Sequence, residues 1–137
     1  MDAMRLKKEK YMNSRATIIL SHGSRSDDSK QEFQELVQLV KTRPSQKESS
    51  LYEAFMSLQE PTLNEAVQKA TQDGANDITI VPCFLFKGNH IKIDIPHMIE
   101  KLKGQYPSVA FHLTNHVGAD ARLADIVEDR ILSSIRN

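Results

Sequence analysis

Three histidines come shortly after apolar runs in this sequence. His22 lies in the segment 21–25, Ser-His-Gly-Ser-Arg, while His90 ends the segment 84–90 and His116 follows the last short run. Imidazole binds borderline metals such as iron(II), cobalt(II), nickel(II) and zinc, and its neutral form accepts protons near physiological pH. If the runs are parallel strands of one sheet, their carboxyl ends share an edge and these histidines meet there. The pattern therefore favours a site that handles a metal ion over one that binds phosphate.

Two other chemistries fit the same loops less well. Neither G-x-G-x-x-G nor G-x-x-x-x-G-K-[ST] occurs, and only Gly23 lies in the first of these loops, so a phosphate cradle is not predicted. Ser21 and Ser24 flank His22, but the G-x-S-x-G elbow of serine hydrolases is absent. Cys83 follows an apolar run, where a small buried side chain is the default, so it is a weak candidate for a nucleophile.

The segments that position these residues alternate between two hydrophobic periods. Short runs rich in β-branched or aromatic residues predict strands at 16–20, 51–56, 77–83 and 109–113. Apolar residues at helical spacing predict four helices, with the stripes Phe33, Leu36, Val37 and Val40; Leu63, Ala66, Val67 and Ala70; Ile95, Met98, Ile99 and Leu102; and Leu123, Ile126, Val127 and Ile131. Pro61 is expected to open the second helix, and Gly74 and Gly104 to end the second and third.

Four consecutive strand–helix units predict right-handed crossovers and a parallel sheet. The expected fold is α/β, a small doubly wound, flavodoxin-like sheet of four parallel strands with helices on both faces. Ligands of such sheets bind outside the carboxyl ends of the strands, where the loops and helix N-termini converge. His97 and His112 fall inside a predicted helix and a predicted strand, so both are interpreted as structural.

Composition limits the class of protein further. The chain has 137 residues, 18 Lys+Arg against 18 Asp+Glu, and 39% hydrophobic residues, which suits one globular domain and disfavours disorder. Residues 1–15 form a polar, basic arm with five basic side chains against two acidic ones, and residues 16–137 form the domain. The zero net charge argues against nucleic acid as a partner.

The expected compartment is the cytoplasm. No run of 18 apolar residues could span a membrane, so no membrane partner is expected, and the N-terminus lacks the apolar stretch of a secretory signal. A single cysteine, Cys83, cannot form an internal disulfide, which agrees with a reducing location.

Several motifs occur in an order that resembles the CbiX/SirB-type sirohydrochlorin chelatases. They are His22-Gly23-Ser24-Arg25, Ala54-Phe55-Met56 with Glu60-Pro61-Thr62-Leu63, Val81-Pro82-Cys83-Phe84-Leu85-Phe86-Lys87-Gly88-Asn89-His90, and Asp94-Ile95-Pro96. The similarity extends from about Thr17 to Arg130 and implies a chelatase-like fold. It implies insertion of cobalt(II) or iron(II) into sirohydrochlorin for cobalamin or sirohaem, without ATP. One unit in the chain resembles the short form of the family, which associates as a homodimer.

The resemblance also implies roles for individual residues. His22 and His90 match the histidines that handle the metal, so both are expected to be catalytic and metal-binding. No permanently bound cofactor is implied, since divalent cobalt or iron is a substrate. The substrate is a polycarboxylate macrocycle, so Arg25, Lys87 and Lys92 are expected to bind its carboxylates, and Phe84 and Phe86 to face its apolar centre. The auxiliary candidates are Glu60, Asp94 and His116, although Glu60 and Asp94 could instead serve the helix N-termini that follow them.

One position departs from the family pattern. Members of the family that the chain resembles commonly carry a Glu shortly after the second-strand Phe, in a Phe-Leu-Glu arrangement, whereas this chain has Phe55-Met56-Ser57. Ser57 cannot act as a carboxylate, so Glu60, Asp94 or His116 would have to replace it in metal or proton handling. Two non-enzymatic alternatives therefore stay open. One is a metal carrier or tetrapyrrole-binding protein of the same fold, and the other is a regulatory interaction module in which removal of both histidines has no effect.

Overall fold

Four parallel strands form one sheet in the computed structural model, which describes residues 14–47 and 49–136 except for the side chains of His90 and Arg136. In sheet order β2-β1-β3-β4, the strands are β1 (Arg15–Ser21), β2 (Ser50–Phe55), β3 (Asp77–Pro82) and β4 (Ala110–Leu113). The helices are α1 (Asp27–Lys41), α2 (Leu63–Gln72), α3 (Ile95–Gln105) and α4 (Ala121–Arg136). A 3-10 turn at Pro44–Gln46 precedes β2, and a π turn at His90–Asp94 precedes α3. The predicted doubly wound α/β fold is confirmed.

The N-terminal boundary of the domain lies slightly earlier than the sequence pattern indicates. Arg15, which the sequence analysis assigned to the arm, is the first residue of β1. Ser14 is buried, and its carbonyl accepts a hydrogen bond from the Asn76 N–H at 2.9 Å. Arg15 thus belongs to the sheet and Ser14 packs at its edge, while residues 1–13 lie outside the described residues.

The sheet separates two apolar cores, because successive side chains of a strand point to opposite faces. On one face Ile18, Leu20, Ile78 and Ile80 are completely buried under α2 and α3. On the other face Ile19 and Phe55 pack against Phe33 and Val37 of α1, with the rings of Phe33 and Phe55 edge to face at 5.3 Å. Helices on both faces therefore hold the strand ends in fixed positions.

The start of α2 differs from the prediction. Thr62 is the N-cap: its hydroxyl accepts from the Glu65 N–H at 3.2 Å, while the Glu65 carboxylate accepts from the Thr62 N–H at 3.3 Å. This capping box satisfies two backbone donors that would otherwise lack partners. Pro61 lies before the cap and does not open the helix, because the first helical residue is Leu63.

The two glycines expected to end helices behave differently. Gly74 follows α2 with a φ of +102°, the left-handed conformation that closes a helix C-terminus, so that prediction is confirmed. Gly104 lies inside α3, which ends at Gln105, so the prediction for Gly104 is wrong. The physical reason is that Gly104 does not adopt a positive φ, and the helix closes instead through the Tyr106 N–H, which donates to the Leu102 carbonyl at 2.8 Å.

The last helix, α4, forms where its stripe predicts but leaves that stripe exposed. Ile126, Val127, Ile131 and Leu132 are each about half exposed, and Ile135 is 74% exposed. Neither core contains a described residue of α4, although a helix with one apolar face normally buries it against a sheet. The Asp120 carboxylate fixes the start of α4 by accepting from the Arg122 N–H and its guanidinium. The helix therefore has a defined start and an unpartnered apolar face.

The two histidines interpreted as structural lie in a helix and a strand, as the sequence predicts. His112, in β4, has its Nε2 at 2.9 Å from Oδ1 of Asp77 on the neighbouring β3. His97 is an exposed residue of α3. Within the part of the chain that the structure describes, no helix combines the length and apolar character needed to span a lipid bilayer.

Candidate active site

His22 stands immediately beyond β1, and its backbone is fixed by the neighbouring strand end. The Met56 N–H donates to the Ser21 carbonyl at 2.9 Å, and the Ser57 N–H donates to the His22 carbonyl at 3.2 Å, so the β1–β2 ladder continues past both strands. The imidazole is exposed at the edge of the sheet. Its Nδ1 lies 3.2 Å from the Gly23 carbonyl oxygen, a distance at which a protonated Nδ1 donates. In that tautomer Nε2 carries the lone pair that can bind a metal or accept a proton.

Gly23 is required at its position by a close backbone approach. It has a φ of +95°, and a Cβ built on it would lie 1.9 Å from the Ser57 carbonyl oxygen. No other amino acid fits this arrangement without moving the loop. The glycine of the His-Gly-Ser motif therefore lets the His22 loop lie directly against the end of β2.

Gln59 closes the same loop from the side. Its amide oxygen accepts from the Ser24 N–H at 3.1 Å, and its amide nitrogen donates to the Ser26 carbonyl at 3.0 Å. These two bonds bracket Arg25, whose side chain is exposed at this edge. Gln59 is not predicted from the sequence, and no local signal identifies it, because its partners lie 33 and 35 positions away.

A second group of predicted residues lines a cavity of about 370 Å³ beside β3 and β4. Its lining residues are Pro82, Lys87, Ile91, Lys92, Ile95, Leu113, Thr114, Asn115 and His116. Two ammonium groups with a hydroxyl, an amide and an imidazole suit a carboxylate ligand, because charged donors bind carboxylates more strongly than neutral ones do. The structure thus brings Lys87, Lys92 and His116 together.

The loop that carries His116 is tied back onto the end of β3. The Val117 N–H donates to the Pro82 carbonyl at 3.3 Å, and the Gly118 N–H donates to the Phe84 carbonyl at 3.0 Å. A Cβ at Gly118 would lie 3.0 Å from Nε2 of His116, so the glycine leaves room for the ring. His116 is consequently held at the carboxyl edge by backbone contacts.

Aromatic and aliphatic side chains surround these polar groups. The Phe84 ring lies edge-on to the His22 imidazole, with the ring centroids 6.0 Å apart. Phe86 is 78% exposed, and Leu58, Leu85, Ile93 and Val117 are also exposed on the loops of this edge. A rim of apolar side chains around an imidazole and a basic cavity suits a ligand with an apolar body and anionic substituents.

Three further predicted residues, Glu60, Asp94 and His90, belong to the segments at this edge. Glu60 is exposed before α2, where Thr62 and Glu65 already cap the helix, so the helix N-terminus does not require it. Asp94 occupies the N-cap position of α3, yet its side chain makes no capping hydrogen bond. The backbone of His90 begins the π turn, and its side chain lies outside the described residues.

The described side chains do not form a preformed metal cage. Among the side chains described for residues 14–47 and 49–136, no group of three or more His, Cys, Asp or Glu is arranged to hold a metal ion. The pairing of His22 with His90 as metal ligands therefore stays a prediction. Burial raises the pKa of the Cys83 thiol, which keeps it protonated and agrees with its interpretation as a packing residue.

Comparison with known proteins gives consistent matches. Residues 16–134 match the CbiX family model. The chain is 32% identical to the chloroplastic sirohydrochlorin ferrochelatase of Arabidopsis thaliana, over 83% of this chain and 50% of that protein. It is 31% identical to the sirohydrochlorin cobaltochelatase of Methanopyrus kandleri, over 88% of this chain and 96% of that protein. The chain therefore spans half the length of the plant protein and nearly all of the archaeal one.

Solved structures agree with the sequence relatives. A cobalamin biosynthesis CbiX protein from Marinobacter aquaeolei superposes with a TM-score of 0.76 at 29% identity, covering 89% of this chain and 98% of that chain. The sirohydrochlorin chelatase SirB from Bacillus subtilis subspecies spizizenii, in complex with cobalt, superposes with a TM-score of 0.78 at 28% identity. That match covers 88% of this chain and 50% of the SirB chain.

Proposed function

Because the chain belongs to the CbiX family, we propose that it is a sirohydrochlorin chelatase, a lyase-type enzyme that inserts cobalt(II) or iron(II) into the macrocycle during cobalamin or sirohaem biosynthesis. One observation carries the proposal: the imidazole of His22 and a cavity with two lysines lie at the same sheet edge within an apolar rim. That combination matches the three chemical needs of the reaction, which are a metal ligand, carboxylate binding and contact with a broad apolar ring.

The first step of the proposed mechanism is delivery of the metal. An aqueous cobalt(II) or iron(II) ion exchanges water for imidazole nitrogen, and His22 and His90 are the proposed ligands. The Nδ1 contact of His22 with the Gly23 carbonyl supports this role, because it favours the tautomer with its lone pair on Nε2. The metal enters as a substrate, and no resident cofactor is proposed.

The second step is removal of two pyrrole protons as the metal binds the ring nitrogens. A neutral imidazole accepts a proton near pH 7, so a histidine can ligate the ion and another group can take protons. His22 and His90 are proposed for both tasks, with Glu60, Asp94 or His116 as auxiliary acceptors. Ser57 has a hydroxyl where the family resemblance implies a carboxylate, so an auxiliary acceptor has a specific purpose in this chain.

Binding of the macrocycle is proposed to use its periphery and its face separately. The ammonium groups of Lys87 and Lys92 bind peripheral carboxylates in the cavity beside β3 and β4, and Arg25 binds others near His22. Phe84 and Phe86 contact the apolar centre of the ring. This arrangement orients the substrate, because the charged contacts with the peripheral carboxylates fix the rotation of the macrocycle over the His22 imidazole.

We also propose that two copies of the chain form a homodimer through α4. Its five half-exposed or exposed branched side chains leave water when they pack against the same surface of a second copy. In a two-fold dimer the same surface of each copy is buried. The apolar area buried by two such helices is therefore on the scale of the roughly 1,000 Å² that a stable interface requires. The proposed compartment is the cytoplasm, since the single cysteine agrees with a reducing environment.

A spectroscopic insertion assay tests the enzymatic proposal. Purified protein is mixed with sirohydrochlorin and cobalt(II) or iron(II), and the visible spectrum is followed against the rate without protein. Faster conversion to the metallated spectrum is the expected result. Absence of acceleration with both metals in a folded sample would overturn the activity, and bound but unchanged sirohydrochlorin would indicate the carrier alternative instead.

A further inference from the structure

Leu58 combines two features that are unfavourable for a leucine. Its φ is +68°, and among the described residues it is the only one other than glycine with a positive φ. A side chain with a Cβ is disfavoured in this left-handed conformation. Leu58 is also 63% exposed, so burial of its isobutyl group does little to offset that cost. Packing inside the described chain therefore does not explain why a leucine occupies this position.

Contacts on both sides of Leu58 hold its backbone. The preceding residue, Ser57, donates to the His22 carbonyl at 3.2 Å, and its own carbonyl lies against Gly23. The following residue, Gln59, bonds the Ser24 N–H and the Ser26 carbonyl. The residues on both sides of Leu58 are thus hydrogen-bonded to the His22 loop, and these bonds fix the backbone of Leu58. Its side chain projects from a fixed backbone at the carboxyl edge of the sheet.

We infer that Leu58 is a substrate-contacting residue whose side chain packs on the face of the macrocycle and helps set its position relative to His22. The inference rests on the proposed function. A tetrapyrrole has a broad apolar face, and contact with an exposed leucine removes apolar area of both partners from water. A fixed backbone lowers the entropy lost on binding, because the loop is ordered before the ligand arrives. The left-handed conformation is a local strain located at a ligand site.

Two substitutions separate the apolar contact from the backbone conformation. Leu58→Gly removes the side chain and suits a positive φ, so we expect the melting temperature to stay equal or rise. Leu58→Asn also tolerates a left-handed backbone and keeps a side chain of moderate size, but the new side chain is polar. We expect both variants to bind metal-free sirohydrochlorin about tenfold more weakly, on the scale of losing one apolar contact.

The measurement is a titration of metal-free sirohydrochlorin followed by absorbance or fluorescence, alongside thermal unfolding. Leu58→Met, which keeps an apolar side chain, should bind within about twofold of the wild type. Leu39→Ala is the matched control, because Leu39 is 59% exposed on α1, outside the loops of the carboxyl edge, and should leave the affinity unchanged.

Each outcome decides the inference. Wild-type affinity in both Leu58→Gly and Leu58→Asn overturns it, and so does a marked loss of stability in Leu58→Gly, which would assign the leucine to the fold. If the wild type binds sirohydrochlorin but inserts no metal, the proposed activity fails while the affinities still test Leu58. If the wild type does not bind sirohydrochlorin, both proposals fail.

Discussion

The imidazole of His22 is positioned by its backbone. The Ser57 N–H holds the His22 carbonyl, and Gly23 allows the loop to lie against the Ser57 carbonyl oxygen. The ring itself is exposed and lies edge-on to Phe84. Replacement of the ring should therefore change the chemistry of the site without disturbing the core.

His22→Ala and His90→Ala should each lower the rate of metal insertion about a hundredfold or more, because each removes a proposed ligand and proton acceptor. The double variant should be little slower than the slower single one, since groups that act as a unit are not additive. Initial rates followed by absorbance measure the effect, with circular dichroism to check folding. His112→Ala is the control, because this histidine of β4 contacts Asp77 at the amino end of β3. A near-normal rate in either single variant would remove that histidine from the mechanism.

Ser57→Glu tests whether this chain has lost a catalytic carboxylate. Ser57 is exposed beside the His22 carbonyl, so a glutamate there can reach the carboxyl edge. If the carboxylate has been lost without replacement, the substitution should raise the insertion rate severalfold, because a carboxylate adds a metal ligand or a proton acceptor. Ser57→Gln, which has the same size without the charge, should not raise it.

The opposite result for Ser57→Glu is expected if another carboxylate replaces the missing one. If Glu60 or Asp94 has taken over the task, Ser57→Glu should be neutral or harmful, and Glu60→Gln or Asp94→Asn should slow turnover. An unchanged rate and metal dependence in all three variants would contradict a role for any of these carboxyl positions. The two histidines would then carry both metal ligation and proton removal.

At the level of elements, α2 illustrates how local chemistry sets a boundary. The reciprocal bonds of Thr62 and Glu65 place the first helical residue at Leu63, two positions later than Pro61 indicates. That start places α2 over the core, where Leu63, Ala66, Val67 and Ala70 are buried. The loop between β2 and α2, which carries Ser57 to Gln59, consequently ends at a fixed point.

Thr62→Ala should lower the free energy of unfolding by about 1 kcal/mol, because it removes the acceptor of the Glu65 N–H. The expected decrease in melting temperature is about 3–6 °C. Thermal unfolding monitored by circular dichroism measures it. Thr62→Ser keeps the hydroxyl and should lose less than half as much. Equal losses in the two variants would show that the methyl group, and not the cap, stabilises this helix.

The element boundaries show how far local patterns extend. Strand and helix types were predictable because the hydrophobic periods of about 2 and 3.6 residues are properties of short segments. The end of α3 was not, because Gly104 ends a helix only if its backbone turns left-handed, and that depends on how the next residues pack. The stripe of α4 identified the helix but not whether the stripe is covered.

At the scale of the whole molecule, the exposed stripe of α4 is the largest departure from a closed doubly wound domain. The described part of the chain covers one sheet face with α2 and α3 and part of the other with α1. An apolar helix face left in water is unfavourable, and association of two copies removes it from water.

Light scattering at micromolar concentration should give the mass of a dimer. The double variant Ile126→Asp, Ile131→Asp places charges on the proposed interface and should shift the mass to that of a monomer. Its far-ultraviolet circular dichroism should keep the α/β signature, because neither side chain belongs to a core. Asp129→Asn, on the side of the same helix that faces away from the stripe, is the control and should remain dimeric. A monomeric wild type would contradict the proposal.

The sequence by itself determined the order of the elements, the parallel sheet and the edge at which His22, Lys87, Lys92 and His116 lie. Those features follow from local periodicity and from the handedness of strand–helix–strand crossovers, which leaves few topologies to consider. The motif resemblance added the family, and the family-model match over residues 16–134 agrees with it.

Only the tertiary structure decided how the loops of that edge touch one another. Gln59 bonds residues 33 and 35 positions away, and Gly23 lies against the carbonyl of Ser57. Leu58, whose backbone is left-handed, lies between Ser57 and Gln59. Contacts between loops depend on the positions of whole strands, so they leave no periodic signal in the residues that make them. For that reason the chemistry of this edge was visible in the sequence, whereas the arrangement that holds His22 and Leu58 was not.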